Sequence, residues 1–381
     1  MKLDNNHLAF YALVQAGLWE KDVLLSQYGQ IDFNVIYRLA EEQTVVGLVV
    51  AGLEHISDIK VPQAVLLNFV GNALQIERRN VSMNDFINKL MSWLENAGIF
   101  MVLVKGQGVA QCYERPLWRA CGDIDLLLSS NNYERAKDFL IPLAVDVETE
   151  YKYFKHVGMT LQGWVVELHG TLQSMLSKKI DKEIDNIREG VINLGDVRVW
   201  QNDNTVVYLP SPDADVIFLF THFLNHFYKG GLGLRQICDW CRLLWTFKDN
   251  IRKDLLAARL KKMGLLTEWK TFSALAVDYL GMPAEALPFY EASEKWSRKA
   301  NRIIEFLLEV GNFGHNRDSS YYAKYPLFQR KAISFWRRIK DIGHHVTIFP
   351  LDSIRFLIGI TMNGFKTVIH GINEKNLKRT N

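Results

Sequence analysis

The sequence predicts an α+β protein, with a small mixed β-sheet core flanked by an N-terminal helical region and a C-terminal helical domain. Three observations point there. Apolar residues recur at helical spacing through the first 97 residues. Between 98 and 210 that period gives way to short apolar runs punctuated by Gly, Asn and Asp, as strands require. After Ser211-Pro212-Asp213, a helix start with Pro at the first helical position, the helical period returns and persists to the end. The expected division is therefore 1–97, 98–210 and 211–381.

In the first region, residues 7–19 and 34–53 carry helical patterns, and a longer one runs from 65 to 94 and stops at Asn96-Ala97-Gly98. Residues 99–104 form an apolar run that reads as a buried strand broken by Lys105-Gly106. Residues 107–113 read as a short helix, 123–128 as a second strand, and 131–140 as a helix with Asn131 at its cap. Strand-like segments follow at 145–153, 158–162 and 164–168, then a helix at 172–187 and strands at 190–200 and 205–209. Helices are expected at 214–228, 234–247, 251–263, 270–280, 294–308, 330–342 and 353–368. No repeat of fixed period interrupts this layout.

Composition narrows the class. With 48% hydrophobic and 23% charged residues, the chain lies far from the disordered regime. Four scattered cysteines are too few for a disulfide scaffold and fit a reducing compartment. The polar start MKLDNNHLAF lacks the apolar run of a signal peptide, and the longest apolar stretch, 45–53, is far too short to span a membrane. A cytoplasmic location is expected. The net charge is only +3, yet from Tyr322 onward there are 11 Lys plus Arg against 3 Asp plus Glu. No basic–aromatic repeat accompanies this excess, which argues against a nucleic-acid partner. The basic end reads as a solvated or core-lining set of helices, and its apolar-rich segments Phe335-Trp336-Arg337-Arg338 and 351–371 also allow peripheral contact with a membrane surface.

Chemistry concentrates around Asp123-Ile124-Asp125. In a strand, residues i and i+2 share a face, so the two carboxylates stand side by side at the mouth of a buried strand ending Leu126-Leu127-Leu128. Two such charges against an apolar core repel unless a cation lies between them, and oxygen ligands suit Mg²⁺ (or Mn²⁺). Glu167, in Trp164-Val165-Val166-Glu167-Leu168-His169, joins them if its strand is a neighbour. Three carboxylates on adjacent strands are what metal-assisted phosphoryl or nucleotidyl transfer needs.

Leu103-Val104-Lys105-Gly106, the run Arg115-Pro116 through Arg119 to Gly122-Asp123-Ile124-Asp125, and Val166-Glu167-Leu168-His169 resemble the DNA polymerase beta-type nucleotidyltransferase superfamily. More narrowly, they resemble its uncharacterised nucleotidyltransferase family, whose members often lie near bacterial polysaccharide-synthesis genes. The resemblance covers roughly residues 95–245. It implies that Asp123 and Asp125 bind metal, that Glu167 completes the site, and that an NTP such as ATP donates its NMP group to an acceptor, here unknown. The superfamily's usual Gly-Ser turn is Lys105-Gly106 in this chain, so the serine that meets the triphosphate is absent. That departure keeps a second reading open, a nucleotide-binding or assembly protein without turnover; a protein-modifying nucleotidyltransferase is a third.

The remaining candidates surround this centre. Lys105, at the end of the first strand, can meet a phosphate, and Gly106 and Gly108 let backbone N–H groups come close. Arg119 is expected to clamp phosphate oxygens, with Arg115 structural. His169 shares the face of Glu167 and suits phosphate or acceptor contact, or a half-buried packing role. Downstream, His222 and His226 lie at i, i+4, as do Arg235 and Asp239. This set resembles the same family's downstream region, which implies an acceptor-side lining; zinc is the sharper alternative, but no Glu follows the first His as in metalloproteases. Cys238 and Cys241 fall inside an expected helix, and Phe218, Phe220, Phe223 and Phe227 read as core.

Overall fold

The protein is described here by a computed structural model covering residues 3–174, 176–229, 231–310, 333 and 340–358. Four helices open the chain: α1 (Asn5–Trp19), α2 (Phe33–Glu42), α3 (Val46–Leu53) and α4 (Gln63–Asn96). Asp4 and Asp32 cap the first two, accepting the backbone N–H groups of His7 and Asn34. The single pattern expected at 34–53 is two helices, broken at Thr44, whose φ of 55° is left-handed. α1 and α3 cross with their backbones touching. A Cβ on Gly17 would sit 1.9 Å from the Leu48 carbonyl oxygen, and one on Gly52 would sit 2.1 Å from that of Leu13.

The centre is a five-stranded mixed sheet: β1 (Met101–Val104), β2 (Asp123–Leu128), β3 (Asp146–Val147), β4 (His156–Leu161) and β5 (Trp164–His169). Its order is β1-β2-β5-β4-β3, with β2 and β5 parallel and the other neighbours antiparallel. Alternation divides each strand between two environments. Ile124, Leu126, Leu128, Val157, Met159, Val166 and Leu168 pack beneath the sheet with Phe86, Ile87 and Leu90 of α4. The alternate positions, Asp123, Asp125, Glu167, His169 and His156, therefore share the opposite face.

α5 (Gly106–Ala110), α6 (Ser130–Leu140) and α7 (Lys178–Asn193) connect the strands, and β6 (Val197–Asn202) and β7 (Thr205–Pro210) form a separate hairpin. Several local expectations shift. Ser129, not Asn131, caps α6, its side chain accepting the Asn132 N–H. The strand expected at 145–153 shrinks to Asp146–Val147, because the Glu148-Thr149-Glu150 run that follows is polar on both faces and offers the core nothing. The helix expected at 172–187 starts at Lys178, capped by Ser177, and runs on to Asn193. Ile180, Ile184, Ile187 and Val191 bury one helical stripe, so helix displaces the beginning of the strand expected at 190–200.

Helices α8 (Pro212–Lys229), α9 (Leu234–Thr246), α10 (Lys253–Met263), α11 (Leu266–Leu280) and α12 (Glu294–Val310) follow, and residues 340–348 and 350–358 are also helical. They close one continuous apolar core with the N-terminal helices. Trp19 Nε1 donates to the Leu280 carbonyl at 2.6 Å, and Gln43 Oε1 accepts the Leu234 N–H at 3.0 Å. Phe218, Phe220, Phe223 and Phe227 are core, and Cys238 and Cys241 are buried free thiols. The segment Phe335–Arg338 and residues 359–371 of the basic end lie outside the described residues. Among those described, no helix is long and apolar enough to cross a membrane.

The α1–α3 contact should tolerate no side chain. Gly52→Ala is expected to lose at least about 2 kcal/mol of stability through overpacking against backbone, read as a lowered urea midpoint.

Candidate active site

The parallel pairing of β2 and β5 makes Asp125 and Glu167 direct partners, with Asp123 two residues before Asp125. The trio anticipated from sequence is thus assembled on one face. Val104 pairs with Asp125 across the other edge of β2, so Lys105 emerges beside it. Lys105 has φ 58° and ψ −144°, a region that essentially only glycine enters freely. Its Nζ lies 3.0 Å from Asp125 Oδ1. The same oxygen is 2.7 Å from His169 Nε2, while Glu167 Oε2 is 3.1 Å from His156 Nε2 and 3.4 Å from His169 Nε2.

Electrostatics differ sharply among the three acids. Burial pushes Asp123 above the usual carboxylate range and the neighbouring Asp125 charge pushes it further. Burial also opposes ionisation of Asp125, but Lys105 and His169 outweigh it and hold its pKa below the ordinary value. Hydrogen bonds from His156 and His169 hold Glu167 far below its ordinary value. His169 is raised, since its bonds to Asp125 and Glu167 exceed the cost of burial. Among the described residues, no hydrogen bond or ion pair reaches the Asp123 carboxylate.

The trio lines a cavity of about 240 Å³ roofed by α8 and α9, together with Lys105, Gly106, Arg119, His222, His226, Arg235 and Asp239. A second cavity of about 250 Å³ adjoins it, sharing Lys105, Glu167, His222 and His226, and it extends past His156 and His169 to Phe154 and Asn225. Every site residue expected from the sequence except Gly108 thus borders one cleft of two lobes. Gly108 does not join them: the space where its Cβ would stand is filled by Leu209 Cδ2 at 2.7 Å, so it serves close packing rather than phosphate approach.

The two arginines differ in freedom. Arg119 is almost fully buried and forks onto Asp239, with Nε 3.0 Å from Oδ1 and Nη2 2.6 Å from Oδ2. Tyr113 donates to the same Oδ1 at 2.7 Å, so Asp239 accepts three hydrogen bonds. Asn80, wholly buried in α4, pins this loop by donating to the carbonyls of Leu117 and Arg119. Arg235 by contrast donates Nη1 to the Ala120 carbonyl at 2.7 Å and leaves its buried Nε without a partner. Burial and the nearby Arg119 charge lower its pKa, outweighing the pull of the Asp239 and Asp123 carboxylates. Arg115 pairs with Glu20 and Glu54, away from the cleft, as its structural reading required. Sequence reasoning passed over His156. Its signal is visible only in the β4–β5 register, where it partners His169.

His222 and His226 face each other at 3.2 Å between Nε2 atoms. Burial, reinforced by Lys105, drives His222 well below its ordinary pKa and His226 down to about 4. Both are therefore neutral above the acid range.

The chain belongs to the uncharacterised nucleotidyltransferase family, whose model matches residues 29–281. The match takes in every strand of both sheets and reaches from α2 to the end of α11, wider than the segment whose motifs suggested it. No curated protein and no solved structure matches the chain.

Two outcomes follow from this geometry. Arg119→Ala strands the buried Asp239 carboxylate and should cost about 3–5 kcal/mol in urea unfolding. Arg235→Ala, which removes a cation without a carboxylate partner, should cost less than about 1.5 kcal/mol. The histidine pair sets the second. With a folded pKa of about 4 against an ordinary 6.5, His226 takes up its proton more readily in the unfolded chain. Its contribution to stability is complete above pH 6.5 and is lost as pH falls toward 4. His226→Asn should flatten part of that decline in unfolding midpoints measured across the window.

Proposed function

We propose that the chain transfers a nucleoside monophosphate from an NTP to an acceptor hydroxyl, with Mg²⁺ or Mn²⁺ held by Asp123, Asp125 and Glu167. The observation that carries this reading is the β2–β5 register, which places Glu167 beside Asp125 on the face opposite the packed core. The residues fit a hard cation: an unpartnered carboxylate on Asp123 stands next to two acids kept ionised. When bound, such an ion supplies charge neutralisation at the triphosphate and a lowered pKa at the attacking hydroxyl.

The chain's own groups take the rest. Arg235 supplies the free guanidinium for the triphosphate, and Lys105 an ammonium held at the rim of the acids. Arg119, forked onto Asp239 through Nε and Nη2, holds the floor of the lobe. In the transfer, the acceptor oxygen bonds the α-phosphorus and yields its proton to water, the α–β bridging bond breaks, and pyrophosphate leaves with the bonding pair. Glu167 is too weakly basic, bonded as it is to two imidazoles, to be the proton acceptor; its part is to hold charge. Neutral His222 and His226 stand where the two lobes meet, which suits contact with the acceptor. A setting in polysaccharide assembly rests on the family resemblance alone.

One observation favours a second reading. Lys105 Nζ already bonds the Asp125 oxygen that a cation needs, and no serine follows it, an arrangement that suits nucleotide binding without turnover.

Calorimetric titration of ATP, GTP, CTP and UTP, with Mg²⁺ and with EDTA, separates these readings when paired with pyrophosphate release. Metal-dependent binding of one NTP is expected, lost in Asp123→Asn and weakened about tenfold or more in Arg235→Ala. Binding by no NTP, or equal binding by Asp123→Asn, refutes the site. Binding without pyrophosphate release in the presence of cell extract favours the inactive reading, and label entering protein identifies a protein acceptor.

A further inference from the structure

At the β4–β5 end of the sheet face, three side chains converge on a single point. His156 opens β4, His169 closes β5, and their Cα atoms are register partners. Glu167 lies two residues before His169 on the same face. Both imidazole Nε2 atoms approach one carboxylate oxygen, Glu167 Oε2, at 3.1 and 3.4 Å. The ring centroids are 4.8 Å apart, and one donor atom from each of the three residues lies within 4.8 Å of the others.

We propose that His156, Glu167 and His169 form a binding site for a divalent transition-metal ion of the Zn²⁺ class, which shares the Glu167 carboxylate with the oxygen set of Asp123 and Asp125 and differs from it by two nitrogen donors. Bonds of about 2.0–2.2 Å to nitrogen and oxygen set neighbouring ligand atoms about 3.0 Å apart at a right angle and about 3.4 Å apart in a tetrahedron. The two Glu167 edges fall in that interval and all three donor atoms lie within 4.8 Å of one another, so the ion binds by drawing the two imidazoles together. Two imidazoles with one carboxylate select borderline ions, whereas Mg²⁺ keeps to oxygen. Asp125 Oδ1, 3.0 Å from Lys105 Nζ and 2.7 Å from His169 Nε2, keeps Lys105 as its partner when the His169 nitrogen turns to the ion. Three protein ligands leave further positions open toward the second cavity, which all three residues line.

This site stands on the β4–β5 geometry and does not rest on the transferase reading. Its test uses the full chain stripped with chelator and titrated with Zn²⁺ or Co²⁺ alone, the latter read by its visible absorption. One ion per chain is expected, undisplaced by excess Mg²⁺. Affinity should fall by more than about 100-fold in His156→Ala, beyond what loss of an outer-shell partner costs. His156→Gln, which keeps a polar side chain, should show the same loss with an unchanged circular dichroism spectrum. Asp123→Asn should bind as wild type does, which separates this site from the Mg²⁺–NTP site. Wild-type affinity in both His156 variants, displacement by Mg²⁺, or no uptake of Zn²⁺ overturns the proposal.

Discussion

The structure depends on keeping ionised carboxylates on the inner face of a sheet whose other face is a dry core. Parallel pairing of β2 with β5 forces Asp125 and Glu167 together, and like charges at neighbouring positions repel strongly where water is scarce. Lys105, His169 and His156 answer that repulsion, each reaching a carboxylate oxygen of the pair. Apolar residues would suit a dry core better, so Asp125 and Glu167 stay ionised there only through those cationic and hydrogen-bonding partners.

The surroundings serve that constraint. The Lys105 backbone is bent into a region that costs about 1–3 kcal/mol for a residue with a side chain, and strain of this kind persists only where neighbours over-determine it. Here α4 does so from below, through Asn80 and the Arg115–Gly122 loop, and α8 and α9 from above. The N-terminal helices matter to the cleft for the same reason. They share one core with α8, α9 and α11, so the roof and the floor are tied together through Trp19, Gln43 and the α1–α3 glycine contact.

Arg119 and Arg235 show what a sequence conceals. Arg119 precedes the Asp-x-Asp strand and reads as the phosphate clamp, yet its fork is filled by an aspartate 120 residues away. Arg235 reads as one member of a helical i, i+4 pair with Asp239, but Asp239 faces Arg119 and Tyr113 instead, leaving Arg235 with an unused buried Nε. Charged side chains choose partners by distance in space, and a one-dimensional pattern ranks only neighbours on the same helix or strand. His156 was silent for the same reason.

The sequence alone determined the mixed α+β layout, the helical flanks and the Asp123–Asp125 face, because these follow from periods of 3.6 and 2.0 and from local stop signals. It also carried the motifs by which the family is recognised. Boundaries such as those of α7 and β3 were decided by burial: Ile180, Ile184, Ile187 and Val191 extend a helix because a core waits for them, and the polar run after Val147 ends a strand because none does. Only the tertiary structure decided which strands are neighbours, which arginine is free and that two histidines meet on Glu167. Those facts depend on contacts between distant segments, whose energies no local pattern records.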